Sequence, residues 1–251
     1  MPRSRNAAAI DALITARRTG RRIAALPLGS EPRELAEAHA LQDATVAKLD
    51  ERIAGWKVAF GKDREVMRGI IVGSRMLASP ASLPASEVPM LGVEGEIAFV
   101  FNRDLPPRST DYSREEVSAA TIPLVGIEIV SSRFEDYSKA PLLDRTADCM
   151  SNGAFIAGTR RRDWQQVDLS KLKATLRVNG KIVVQKTGSH PTVDPILPAV
   201  ALVNLLRHTS GVNKGQLVTT GTCTGLYFAA PGDAIEVSFT ELGSAAVTIT
   251  K

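Results

Sequence analysis

The sequence predicts an α+β fold, with a small helical amino-terminal region over residues 1–52 and a β-rich region over residues 53–251. Three observations carry that reading. Apolar residues in the first region recur at helical spacing, and beyond it they alternate or run unbroken over short stretches. Asn179-Gly180 then separates two alternating stretches, the strongest short-range sign of an antiparallel hairpin.

Residues 7–19 (AAAIDALITARRT) read as a helix, with Ile10, Leu13 and Ile14 on one side and Gly20 as its stop. A second helix starts near Pro32, after Ser30, and runs to about Glu51. Proline in the first turn with acids beside it favours that start, and Leu35, Ala38, His39, Gln42 and Val46 follow the period. Residues 53–60 (IAGWKVAF) alternate as a strand, and a Ser- and Pro-rich loop over 79–89 leads to the strand VEGEIAFVF at 93–101. Ser113 with Glu116 three residues on forms a capping box for a short helix. IPLVGIEIV (122–130) reads as a strand buried on both faces, and GAFIAGT (153–159) as another. LKATLRV and KIVVQKT flank the hairpin turn, and a helix of about 14 residues follows Asp194-Pro195. QLVTTG and DAIEVSFTELGSAAVTI close the chain as strand, strand, turn, strand, with no internal repeat or low-complexity linker.

A chain of 251 residues can bury a sizeable core, as one large domain or as a small one joined to a larger. Its 44% hydrophobic and 23% charged residues are a globular balance rather than a disordered one. The net charge of +4 and pI near 9.2 come in good part from Arg3, Arg5, Arg17, Arg18, Arg21 and Arg22. Elsewhere acids and bases interleave and aromatics reach only 5%, so no aromatic-studded basic stripe invites nucleic acid. The excess of cations suits an anionic small molecule. Cys149 and Cys223 have no CxxC pattern and no histidine at ligand spacing, and read as buried free thiols in a reducing compartment. No apolar run is long enough to span a membrane, and Asp11 breaks an otherwise transit-like start, so a cytoplasmic protein is expected.

The residues that do not suit a core are acids. Side chains alternate along a strand, so Glu94 and Glu96 share a face, while Glu128 sits in the middle of VGIEIV. Charged carboxylates are almost never buried unpaired, and two on one face repel. Either Arg or Lys neutralises them, or they line a solvated face, or one takes a proton, or a cation lies between them. Oxygen-only ligands would suit Mg²⁺ or Mn²⁺ rather than Zn²⁺. Lys57, in GWKVAFG, is either a surface lysine or, facing a pocket, an acid or base of altered pKa. Ser151, Asn152 and Gly153 before a strand form a plain turn or present a hydroxyl and N–H groups to an anion. Of the three histidines, His39 and His208 fit helices, and His190 lies in a loop that could reach a site. No GxSxG, Walker loop or Rossmann glycine pattern is present.

In order, GWKVAFG, VEGEIAFVFNRDL, GIEIVSSR, ADCMSNGAFIAG, GQLVTTGTCTG and APGDAIEVSFTELGSAAVTI resemble the 2-keto-4-pentenoate hydratase group of the fumarylacetoacetate hydrolase superfamily, over nearly the whole chain. The resemblance implies a mixed β-roll core of the fumarylacetoacetate hydrolase type, residues 53–251 as the catalytic domain, and assembly as a homo-oligomer. It implies Mg²⁺ or Mn²⁺ bound by Glu94, Glu96 and Glu128. The glutamate in GIEIV matches the hydratases and the related oxalocrotonate decarboxylases, where the hydrolase branch usually has an Asp in a different local motif. Lys57 matches the catalytic lysine and Ser151 an active-site serine. TTGTCTG matches a substrate-side loop, making Thr222 a candidate substrate contact alongside His190.

The implied activity is that of a hydro-lyase of aromatic catabolism, adding water to a 2-hydroxy-2,4-dienoate through a cation-stabilised enolate. Decarboxylation of an oxalocrotonate-like diacid and hydrolysis of an acylpyruvate are the alternatives. A non-catalytic binding member is a further one, against which the joint presence of Glu94, Glu96, Glu128 and Lys57 speaks. One departure stands out: hydratases commonly place an acid just before a Met in the segment after the lysine strand, and here Arg75 precedes Met76. With Arg68 one or two helical turns earlier, Arg75 either points to solvent as part of the basic surface or binds substrate, pairing with a second carboxylate on a dienedioate.

Overall fold

Two helices, α1 (Arg5–Thr19) and α2 (Leu35–Leu49), open the chain. The computed structural model describes residues 5–251; Arg3 and the side chain of Arg5, counted above in the basic amino end, lie outside the described residues. Gly20 ends α1 as expected, with φ +71 and its N–H on the Ala16 carbonyl. α2 starts later than Pro32 because Glu34 is still extended, with φ −147 and ψ 167. Ala9 and Leu13 of α1 meet Ala38 and Leu41 of α2 in a small apolar core closed by Leu26, Phe134 and Ala147.

The strands follow. β1 (Ile53–Phe60), β2 (Val66–Val72), β3 (Met76–Ala78), β4 (Ala81–Pro84) and β5 (Gly92–Phe101) precede the capped helix α3 (Arg114–Ala119). Next come β6 (Thr121–Val130), the short helix α4 (Leu142–Ala147), β7 (Asn152–Arg160), β8 (Lys173–Val178) and β9 (Lys181–Thr187). Helix α5 (Leu197–Leu206) leads to β10 (Leu217–Thr222), β11 (Tyr227–Phe228), β12 (Ala234–Phe239) and β13 (Gly243–Thr250).

They form two sheets. The first runs β2-β1-β10-β5-β6-β7-β3, with β11 also on β5; the second runs β4-β13-β12-β8-β9. β1 and β10 are parallel, as are β3 with β7 and β4 with β13; the other pairs are antiparallel. β6 lies centrally and is buried along its whole length, which its unbroken Val/Ile run requires. A Cβ on Gly95 would come within 2.8 Å of the Val237 methyl, so the glycine lets the second sheet press against that face of β5. By alternation Glu94 and Glu96 point the other way.

Three local readings differ. The 79–89 stretch holds a real strand, β4, whose Leu83 is in the core; its Pro84 is tolerated because β4 is an edge strand. α5 spans ten residues rather than about 14, because Asp194 first closes a separate turn and Gly211, at φ +62, ends the segment on the Leu206 carbonyl. β2 contains Arg68, so no helix connects Arg68 to Arg75. The Asn179-Gly180 turn forms as expected, with both residues at positive φ. Among the described residues no helix is long and apolar enough to cross a membrane.

Candidate active site

Register brings the acids together. Glu94 on β5 lies directly opposite Glu128 on β6, and Glu96 lies opposite Gly126. The three offer oxygens that all fall within 4.8 Å of one another. Like charges placed directly across a strand pair are destabilising, and Glu96 and Glu128 are buried. Burial raises the Glu94 pKa to about 7, with Lys57 lowering it and Glu128 adding to the rise. Glu96 is pushed up to about 8 by burial and then by Glu128 and Glu94, against the pull of Lys57 and a hydrogen bond from Thr219.

Lys57 on β1 is the chain's own counter-charge: its Nζ lies 2.5 Å from Glu128 Oε1, with side-chain exposures of 12% and 0%. Burial alone would lower its pKa, but Glu128, Glu94 and Glu96 outweigh that and raise it. With all three carboxylates ionised, one ammonium would leave two negative charges uncompensated, a repulsion that adds to burial in raising Glu94 and Glu96. Glu128 Oε2 is buried with no hydrogen-bond partner. A divalent cation fits that deficit, and ligands on opposite sides of Mg²⁺ stand about 4 Å apart, close to the spread of these oxygens.

Neighbouring elements hold the acids in place. Thr219 Oγ1 and the Gly221 N–H both donate to Glu96 Oε2, and Asn152 Nδ2 donates to Glu128 Oε1 at 3.3 Å. Asn152 follows an unusual turn in which Cys149, Met150 and Ser151 all have positive φ, between 50 and 59. Such non-glycine residues persist only where the surroundings over-determine them. Here Asp148, fully buried, accepts from Arg133 Nε at 2.5 Å and Arg17 at 3.1 Å, and Arg133 also donates to the Asn152 carbonyl. The turn rests on Gly69 of β2, where a Cβ would come within 2.9 Å of Lys57 Cγ. Ser151 Oγ is thereby buried without a partner, in a cavity of about 100 Å³ that Lys57 also lines.

His190 and Thr222 adjoin the cluster through β10, on which Thr222 stands opposite Glu96 across the strand pair; Arg75 does not. His190 is buried between Thr192 and Thr220, its Nε2 at 3.2 Å from Thr220 Oγ1, and burial lowers its pKa to about 4. Thr222 Oγ1 accepts from the Gly225 N–H at 2.9 Å and shapes the turn after β10. Arg75 is not brought to the acids: it pairs with Glu87 at 2.5 Å and lines a different cavity with Arg17 and Arg133. Arg68 is spent on Asp43 and Gln42. Both thiols are buried, and burial pushes Cys223 up to about 12. Thr219 and Gly69 were not singled out from the sequence. Gly69, the one glycine within β2, is the readable signal of a close backbone approach.

Residues 59–250 match the family Fumarylacetoacetate (FAA) hydrolase C-terminal. A 2-hydroxyhexa-2,4-dienoate hydratase of Comamonas testosteroni is 30% identical over 173 residues, 68% of this chain and 64% of that protein. A 4-oxalocrotonate decarboxylase of Pseudomonas putida is 29% identical over 61% of this chain, which covers only 57% of that protein's length. A solved 4-oxalocrotonate decarboxylase from Pseudomonas putida G7, complexed with magnesium and adipate, superposes with a TM-score of 0.82 at 21% identity, over 99% of this chain and 98% of that one.

Proposed function

The chain belongs to the fumarylacetoacetate hydrolase family, and from that premise we propose that it is a metal-dependent hydro-lyase adding water to a 2-hydroxy-2,4-dienoate, with Glu94, Glu96 and Glu128 holding Mg²⁺ or Mn²⁺. The observation that carries this reading is the buried cluster of three carboxylates matched by a single ammonium. The hydratase and decarboxylase names of its relatives, and the magnesium in the superposed decarboxylase, support it. When bound, the cation supplies the missing positive charge and a Lewis-acidic seat for the carboxylate and 2-oxo oxygens of the substrate.

The chain's own residues do the rest. Lys57 Nζ, between the carboxylates and the cavity, carries a proton to and from the substrate as dienol and keto forms interchange. Ser151 Oγ, with no partner of its own, donates to or accepts from the water or substrate in that cavity. Asn152, Thr219 and Gly221 fix the carboxylates, so the cluster does not rearrange as charge develops. A second reading, loss of CO₂ from an oxalocrotonate-like diacid, draws on the superposed decarboxylase. It would use the same residues.

The test is turnover of matched 2-hydroxy-2,4-dienoates, with hydration followed by loss of the conjugated absorbance and decarboxylation by CO₂ release. Glu96→Gln should lose both tight Mn²⁺ binding and turnover, because a charged oxygen ligand is removed. Unchanged Mn²⁺ affinity of that variant in calorimetry would remove the centre from this reading.

A further inference from the structure

The cavity shared by Lys57 and Ser151 holds a second cation. Arg145, on α4, lines it together with Tyr137 and Met150. Its Cζ lies 4.9 Å from the Tyr137 ring centroid, a cation–π contact that braces the guanidinium. Arg145 Nε is buried without a hydrogen-bond partner, and among the described residues no carboxylate lies in ion-pair range of Arg145. Its neighbours in the fold behave differently. Arg68 faces Asp43, Arg75 faces Glu87, and Arg17 and Arg133 share Asp148. A guanidinium left unmatched beside a catalytic lysine, with one donor already stripped of water, calls for an anion from outside the chain.

We infer that Arg145 is a specificity-determining residue that binds a second carboxylate on the substrate, making the preferred substrate a 2-oxo or 2-hydroxydienoic diacid. This rests on the functional reading above. There the head carboxylate is taken up at the cluster of Glu94, Glu96 and Glu128, beside Lys57. Only a carboxylate at the far end of the molecule is left for Arg145. Arg75, the cation that the sequence offered for this part, is held by Glu87 in another cavity.

The test uses the Mg²⁺-loaded protein and two saturated 2-oxo acids that undergo no hydration, 2-oxoadipate and 2-oxohexanoate, titrated by calorimetry. The diacid should bind about 10- to 150-fold more tightly, the range of a charge-assisted contact. Arg145→Met should bring the two affinities together, and Arg145→Lys should keep part of the preference. Unchanged Mn²⁺ affinity and an unchanged circular dichroism spectrum will show that the variants are folded. Equal binding by the parent, or a preference that survives Arg145→Met, overturns the role of Arg145 and leaves the hydro-lyase reading standing if dienoates are still turned over. Failure of both 2-oxo acids to bind overturns the two together.

Discussion

Lys57 occupies a position where two demands meet. It is the counter-ion of Glu128, and in the proposed reaction it is the proton carrier. Replacing it by methionine removes the charge and keeps most of the stem. Removing one member of a buried pair leaves the other uncompensated and costs about 3–5 kcal/mol. Lys57→Met should therefore melt early in chelator and recover more of its melting temperature on adding Mn²⁺ than the parent does. Its turnover should fall by about 10²-fold or more even when metal-loaded. Near-normal turnover would leave Lys57 as a structural partner of Glu128 and nothing else. At this scale the sequence was informative for a plain reason: acids inside Val- and Ile-rich strands conflict with their surroundings, and the conflict is visible without coordinates. Which face Lys57 takes was not visible, since it depends on Gly69 and the turn packed on it.

The turn between α4 and β7 shows what one element needs from others. Three successive non-glycine residues in the left-handed region cost on the order of 1–3 kcal/mol each, so something must hold them. Asp148 does this through Arg133 and Arg17, and Arg17 ties α1 to the same point. Asp148→Asn keeps the shape and discards the charge that two guanidinium groups share. Urea unfolding should report a loss of about 3–5 kcal/mol, and turnover should drop through misplacement of Ser151 and Asn152. The carboxylate cluster should still bind Mn²⁺, though more weakly, because Glu128 loses its hydrogen bond from Asn152 while Glu94 and Glu96 do not touch this turn. Parent-like stability would mean that the turn is held by packing alone. From the sequence, DCMSNGAF showed only small polar residues before a strand. Its anchors lie 15 and 131 residues away, beyond the reach of any local pattern.

Over the whole molecule, two histidines in separate parts of the fold are held neutral. His39 of α2 accepts from the Arg68 N–H, and burial, with Arg68 nearby, lowers its pKa from 6.5 to about 4. Burial does the same to His190. Between about pH 4 and 6.5 the unfolded chain binds the protons that the folded chain refuses, so stability rises with pH there. It is fully present above pH 6.5 and is lost progressively as the pH falls toward 4. Melting temperatures across that window should decline in the parent and decline less steeply in His39→Gln and in His190→Gln. Parallel slopes in all three proteins would show that other groups govern the acid limb. The sheet order was the part of the fold least open to sequence reading. Each long strand has a pattern of its own, but the placement of β10 between β1 and β5 is a property of no single segment.

That placement bears on how the protein is made. β5 and β6 are close in the chain, so the pairing that sets Glu94 opposite Glu128 needs no later segment. Thr219 and Gly221, which grip Glu96, arrive only with β10. Lys57 enters the sheet only when β10 bridges β1 to β5, although it was synthesised long before. Until then the nascent hairpin carries three repelling acids without their lysine and must keep them hydrated. The carboxylate cluster is thus complete, with its lysine and its hydrogen-bond donors, only once β10 is paired on both sides.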